Sequence, residues 1–236
     1  SSIGEAIVRT FAKHGAEVIA ADSADSHIDT IYQRVPGVHA LAIEQDSSVM
    51  AAKLTQYALD RLGGLDILVN NFPANSDSSG PGADSGNRSR LQQSQHQLIL
   101  ETSRAVLPLL KQSPAGRIIN IGCLPSAFGA SGKAEFAASR NALAQLTATQ
   151  AAECGAFGIT ANFVQPGAIM TAASREIFDA DKEFRDQCIK GSAARRLGEP
   201  VDVAKVVLFL ATDDAVFVSG TGIVVDGGVV SDSELA

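Results

Sequence analysis

A chain of 236 residues with 45% hydrophobic and 19% charged residues suits one large α/β domain or two small ones, and its composition is that of a folding chain rather than a disordered one. Nineteen basic against 26 acidic residues leave a net charge of −7, which argues against nucleic acid as the main partner. No apolar run approaches the roughly 18 residues of a membrane span, no basic-then-apolar leader opens the chain, and the dispersed Cys123, Cys154 and Cys188 lack metal-ligand spacing, so a soluble, cytoplasmic, metal-free protein with no membrane partner is expected.

Ser1 and Ser2 read as a helix N-cap region, with Glu5 in the first turn and Ile3, Ile7 and Phe11 at helical spacing up to Gly15. Residues 17–22 read as a buried strand ending in the carboxylate of Asp22. A short helix at 26–33 precedes a strand at 38–43, a helix at 47–62 and a strand at 66–71. A helix at 91–112, a strand at 117–121, an Ala-rich helix at 133–153 and a strand at 159–164, stopped by Pro166-Gly167, follow. A helix at 201–212 and a strand at 222–225 close the pattern. Helices alternate with β-branched strands, as in a parallel sheet covered on both faces. No internal repeat or interdomain linker interrupts residues 1–236, so a single domain is expected. Residues 75–89, rich in Ser, Asp and Gly, read as a solvated loop or one ordered by a partner. The four histidines (His14, His27, His39, His96) are scattered and read as surface residues.

A dinucleotide-binding fold opens strand, Gly-rich turn, helix, with pyrophosphate at the helix N-terminus. This chain opens at the helix. Two origins stay open: an upstream piece is missing from the sequence, or the gene product starts here after loss of an initiator Met. In this topology the first strand lies mid-sheet. Its loss would unpair two neighbours, and unpaired buried backbone is costly, so something is expected to cover or close the gap.

Ordered motifs carry a family resemblance. They are Ser2-Ile3-Gly4 after the turn position, Asp22 at the end of the next strand, Asn70-Asn71-Phe72-Pro73, and Gly116-Arg117-Ile118-Ile119-Asn120-Ile121. Asn162-Phe163-Val164-Gln165-Pro166-Gly167-Ala168-Ile169-Met170-Thr171, Arg196-Leu197-Gly198-Glu199-Pro200 and Ser219-Gly220 through Val225-Asp226-Gly227-Gly228 complete the series. Each is weak alone; in this order they resemble the short-chain dehydrogenase/reductase family. The resemblance covers residues 1 to about 230 and implies a Rossmann-like, doubly wound parallel sheet, here lacking the first strand and the Gly-rich turn. It also implies cofactor-binding roles for Gly4, Asp22, Asn70 and Thr171, which without the phosphate turn are expected to be vestigial.

The resemblance fails at the chemistry. Working members carry a serine and then Tyr-x-x-x-Lys. The tyrosine passes the alcohol proton, the lysine lowers its pKa and holds the nicotinamide ribose, and the serine orients the substrate oxygen. Here those positions read Cys123 and Phe136-Ala137-Ala138-Ser139-Arg140, and the family's helix asparagine falls near Gln95. Phe136 has no hydroxyl, and losing a positioned acid/base typically costs about 10²–10⁴ in rate. Cys123 offers a weak S–H donor, and Arg140 is a planar fork in place of a point ammonium. Structural readings stand beside these: Cys123 as a small buried hydrophobe or as a thiol activated by Arg140, Arg140 paired with a carboxylate or carbonyls, Asp22 as a strand-end cap, Thr171 as a helix cap.

The helices at 91–112 and 133–153 survive intact. In the family they pair across a two-fold axis, and a section like 196–228 builds a second interface. The resemblance therefore implies a catalytically inactive structural subunit, with no cofactor of its own, paired two-and-two with an active paralogue that carries NAD. The two-subunit hydroxyacyl-CoA dehydrogenases of anaerobic toluene degradation are the similar assemblies. A non-redox enzyme of the halohydrin dehalogenase type, which keeps the tyrosine that Phe136 replaces, and a nucleotide-sensing binding module are the alternatives.

Overall fold

The computed structural model describes residues 1–43, 47–72, 85–124 and 133–229. Its elements alternate as expected: α1 (Ser2–Lys13), β1 (Val18–Ser23), α2 (Ile28–Tyr32), β2 (Val38–Ile43), α3 (Ser47–Leu62), β3 (Ile67–Asn70) and α4 (Ser85–Leu110). Then come β4 (Arg117–Ile121), α5 (Lys133–Cys154), β5 (Thr160–Pro166), α6 (Ala172–Ala180), α7 (Lys182–Gly191), α8 (Pro200–Ala211) and β6 (Gly222–Val225). Every strand pairing is parallel.

Period-2 alternation along the strands assigns the layers. Ile119 and Ile121 of β4 and Val164 of β5 pack with Ile3, Ile7 and Phe11 of α1 and Val203, Val207 and Leu210 of α8. Ile118 and Ala161, one residue out of phase, pack on the other face with Val106 and Leu110 of α4 and Cys154 of α5. A sheet apolar on both faces needs helices on both, which explains the near-continuous Val and Ile runs. α1 begins with Ser1 Oγ accepting from Gly4 N–H (3.1 Å) and carries Ile3, Ile7 and Phe11 on its buried face.

The strands form two sheets rather than one. Among the described residues β1 pairs only with β2, and β3-β4-β5-β6 form a separate four-stranded sheet. The expectation that the missing-strand position is covered or closed is not met among the described residues: an open slot of about 1290 Å³ lies between β1 and β3. Burial follows. β4 and β5 are buried along their whole length, while β3 is only partly buried before Asn70.

Two further expectations are corrected. α4 starts at Ser85, so residues 85–89 are helix rather than loop, while residues 75–84 lie outside the described residues. α6 and α7 were not expected. Both are short and strongly polar on one side. Asp181 ends the first and caps the second by accepting from Phe184 N–H (2.8 Å), so no long apolar stripe announces either helix. Among the described residues no helix is long and apolar enough to cross a membrane, and no group of His, Cys, Asp and Glu is arranged to hold a metal ion.

Candidate active-site region

The residues aligned with a catalytic set meet beyond the C-terminal end of β4, between α4 and α5. Cys123 follows β4 by two residues. Its Sγ–H donates to Gln95 Oε1 of α4 (3.3 Å), and Ser139 Oγ–H of α5 donates to its Sγ (3.8 Å). Gln95 Nε2 donates to Phe72 O (3.4 Å), tying α4 to the segment after β3. From β5, Gln165 Nε2 donates to Cys123 O (2.7 Å). Gly122 permits that approach, since a Cβ there would lie 2.3 Å from Gln165 Oε1.

The sequence alignment thus brings Gln95 and Cys123 into contact but does not bring Arg140 to them. The buried face of α5 carries Ser139, Leu143, Thr147 and Gln150, and Arg140 lies exposed on another face with no ion pair to a described residue. Phe136 is half-buried one turn earlier. Burial pushes the Cys123 thiol up from its ordinary value, with the Ser139 hydrogen bond pulling partly back. The sulfur is therefore a neutral thiol near pH 7, not a nucleophile activated by Arg140. The cavity beside it, lined by Phe72, Gln95, His96, Cys123, Ser139 and Gln165 among others, holds only about 10 Å³, room for about one water molecule. His96, read from the sequence as a surface residue, lines this cavity half-buried, and burial lowers its pKa, so it is neutral at pH 7. Its position one residue after Gln95 on α4 was the available signal. Ser139, inside the Phe136-to-Arg140 stretch, was likewise overlooked.

Beneath the cavity lies a buried polar network. Asn120 Nδ2 donates to Thr147 Oγ1 (3.0 Å) and Gln150 Oε1 (2.8 Å), and its Oδ1 accepts from Asn70 Nδ2 (2.9 Å). Asn70 Nδ2 and Gln150 Nε2 both donate to Ser103 Oγ (3.2 and 2.9 Å). The network joins β3, β4, α4 and α5 and fixes the elements that carry Gln95, Cys123 and Ser139.

Comparison with known proteins bears on the whole chain. The family model described as Enoyl-(Acyl carrier protein) reductase matches residues 1–230. The chain is 31% identical over 231 residues to the 3-oxoacyl-[acyl-carrier-protein] reductase FabG of Vibrio cholerae, covering 96% of this chain and 92% of that protein. The chain belongs to the short-chain dehydrogenase/reductase family. Another relative, the meso-2,3-butanediol dehydrogenase of Serratia marcescens, is 30% identical over 98% of this chain and 91% of its own length. The crystal structure of a hydroxysteroid dehydrogenase from Escherichia coli superposes with a TM-score of 0.81 at 29% identity, covering 98% and 93% of the two chains.

Short-chain dehydrogenases use NAD(P), and the residues that the resemblance assigns to its site make the following contacts. Ser1 Oγ accepts from Gly4 N–H at the α1 N-terminus (3.1 Å) and from Asn71 Nδ2 after β3 (2.8 Å). Gly4 has no room for a side chain, since a Cβ would stand 2.7 Å from Asn71 Nδ2. Asp22 Oδ1 accepts from Ser23 N–H (2.8 Å), and Oδ2 lies 3.7 Å from the Ser1 nitrogen. Asn70 is wholly inside the network. Thr171 is a helix cap: its Oγ1 accepts from Ser174 N–H (3.0 Å), and Ser174 Oγ accepts from Thr171 N–H (2.7 Å). Ala172 N–H donates to Ser2 Oγ (3.1 Å), joining the starts of α1 and α6.

Proposed function

We propose that this short-chain dehydrogenase/reductase chain is a non-catalytic structural subunit that stabilises an active paralogue, the paralogue carrying NAD and oxidising a hydroxyacyl-CoA. The observation that carries the reading is the state of the aligned catalytic positions. Phe136 supplies no proton, Cys123 is a neutral thiol held between Gln95 and Ser139, and Arg140 points elsewhere. Proton transfer to or from an alcohol needs a group with an accessible proton and a pKa near the working pH, and none of these side chains offers one. Support for assembly comes from the C-terminal section. Val201 and Phe209 of α8, and Val216, Phe217, Val224 and Val229 after it, are exposed apolar side chains, with Phe217 fully so. The resemblance to the non-catalytic subunit of 2-(hydroxybenzyl)succinyl-CoA dehydrogenase, and an assembly of two subunits of each kind, belong to this proposal. Phe136 stands against the halohydrin dehalogenase alternative, and a nucleotide-sensing module is the other reading.

The deciding experiment assays the chain alone for hydride transfer with NAD and NADP over secondary alcohols and hydroxyacyl-CoA thioesters, beside the triple variant Cys123→Ser, Phe136→Tyr, Arg140→Lys. Neither is expected to turn over, because a restored acid/base without a positioned cofactor lacks the orientation that makes the step fast. Native mass spectrometry of the complex from its source is expected to show a second, related chain. Turnover by the chain alone, or a native assembly of this chain only, overturns the proposal.

A further inference from the structure

We propose that Gln165 is a built-in stopper: its carboxamide occupies the place beside Cys123 where a small primary amide would bind, a steric block that rests on the non-catalytic reading and deepens it.

Strand phase aims the side chain. Phe163 of β5 packs with Ile99 of α4 and Leu143 of α5, whereas Val164 packs with α1 and α8 on the other face. Successive strand residues alternate faces, so Gln165 shares the face of Phe163. It stands near the C-terminal end of β5 and is only 2% exposed. A polar side chain buried to that degree needs hydrogen-bond partners.

Its partners hold it across the site. Gln165 Nε2 donates to Cys123 O (2.7 Å) and to Pro166 O (3.2 Å), one acceptor for each of its two hydrogens. Cys123 lies past the end of β4, and Gly122 before it leaves the space into which the carboxamide fits. A Cβ on Gly122 would stand 2.9 Å from Gln165 Cδ, 3.2 Å from Nε2 and nearer still to Oε1, so the whole amide group lies against the bare glycine. With the group seated, the cavity that Gln165 lines with Gln95, His96, Cys123 and Ser139 keeps only about 10 Å³, against the roughly 300–1,000 Å³ of small-molecule sites. An alcohol substrate does not fit in that space. The site is therefore closed by its own floor, independently of the missing hydroxyl at Phe136.

The same contacts name what the opened site would hold. Without the side chain, Cys123 O and Pro166 O lose a shared donor. A replacement needs two N–H groups on one nitrogen and a flat, compact shape that lies against Gly122. A primary amide has both; a carboxylate or a tertiary amide brings no donor. Gln165→Ala deletes Cγ, Cδ, Oε1 and Nε2, and acetamide supplies that set of atoms again.

The test reads alkylation of Cys123 by iodoacetamide, followed by peptide mass spectrometry, with Cys154 of the same chain as the internal standard. In Gln165→Ala, Cys123 is expected to label at least about tenfold faster than in the parent, because reagent and water reach the sulfur, while Cys154 keeps its rate. Acetamide at about 0.1 M, the weak range that so few atoms allow, is expected to slow Cys123 labelling in this variant at least about threefold, and N,N-dimethylacetamide is not. Should Gln165→Ala give no cooperative melt, Gln165→Ser takes its place with the same expectations. Labelling of Cys123 within about twofold of the parent, or an equal acceleration at Cys154, overturns the stopper. Equal protection by both amides, or by neither, overturns the assignment of a primary amide. Thiol labelling does not depend on hydride transfer, so a failure here and turnover by the chain, which defeats the non-catalytic reading, are separate results.

Discussion

Asn120→Ala should destabilise the fold more than any surface change, and the structure says by how much. Asn120 is fully buried at the centre of the sheet. The substitution removes its bonds to Thr147, Gln150 and Asn70. Asn70 Nδ2 and Gln150 Nε2 keep Ser103, so the donors survive, but the buried Gln150 Oε1 loses its donor. A stranded buried polar group costs about 1–3 kcal/mol, and the lost bonds and the small void add to it, so about 3 kcal/mol is expected. For a chain of this size that lowers Tm by about 6–12 °C. Urea and thermal unfolding, followed by circular dichroism, measure it. A cycle with Gln150→Ala isolates the pair and should show a coupling of about 1–2 kcal/mol, because the second substitution removes the group the first one strands. A loss under about 1 kcal/mol, or two effects that add within about 0.5 kcal/mol, would refute the view that this network fixes β4 between α4 and α5.

The other expectations concern the surface, pH and thiols. Phe217→Glu, at a fully exposed position, should change the stability of a protomer by less than about 0.5 kcal/mol yet reduce assembly on size-exclusion chromatography; an unchanged elution volume removes Phe217 from any interface. The Asp202 carboxylate accepts from Arg196 Nη1 (2.8 Å) and Glu199 N–H (2.9 Å), which hold its pKa below the usual value. Because the folded pKa is the lower one, this stabilisation is present above the unfolded carboxylate pKa and is lost as pH falls through the folded value. The stability gap between Asp202→Asn and the parent should therefore be widest near neutrality and close on acidification, as pH-dependent urea titrations will read; a gap independent of pH argues against the pair. Burial raises the pKa of Cys123, Cys154 and Cys188, so all three should alkylate more slowly at pH 7.5 than a free cysteine, measured by mass spectrometry of iodoacetamide adducts; fast labelling of Cys123 would reveal an activated thiol.

The sequence by itself determined the α/β alternation and the bounds of several elements. The apolar run of β4 and the Ser47–Leu62 helix were readable because local periodicity and flanking Gly and Pro act over a few residues. It also identified the altered chemistry, since a missing hydroxyl at Phe136 needs no structure to recognise. Only the tertiary structure decided what the side chains do. Asn70 and Thr171, to which the resemblance gives cofactor-site positions, lie in a buried network and a helix cap. Arg140 could be read as partner to Cys123 from spacing alone, but α5 turns Ser139 toward the sulfur and leaves Arg140 outside. The packing of the helices was beyond sequence reasoning as well. α1 packs on α8 and α3 on α4, contacts between elements far apart in the chain. Such long-range packing leaves no periodic mark on the chain.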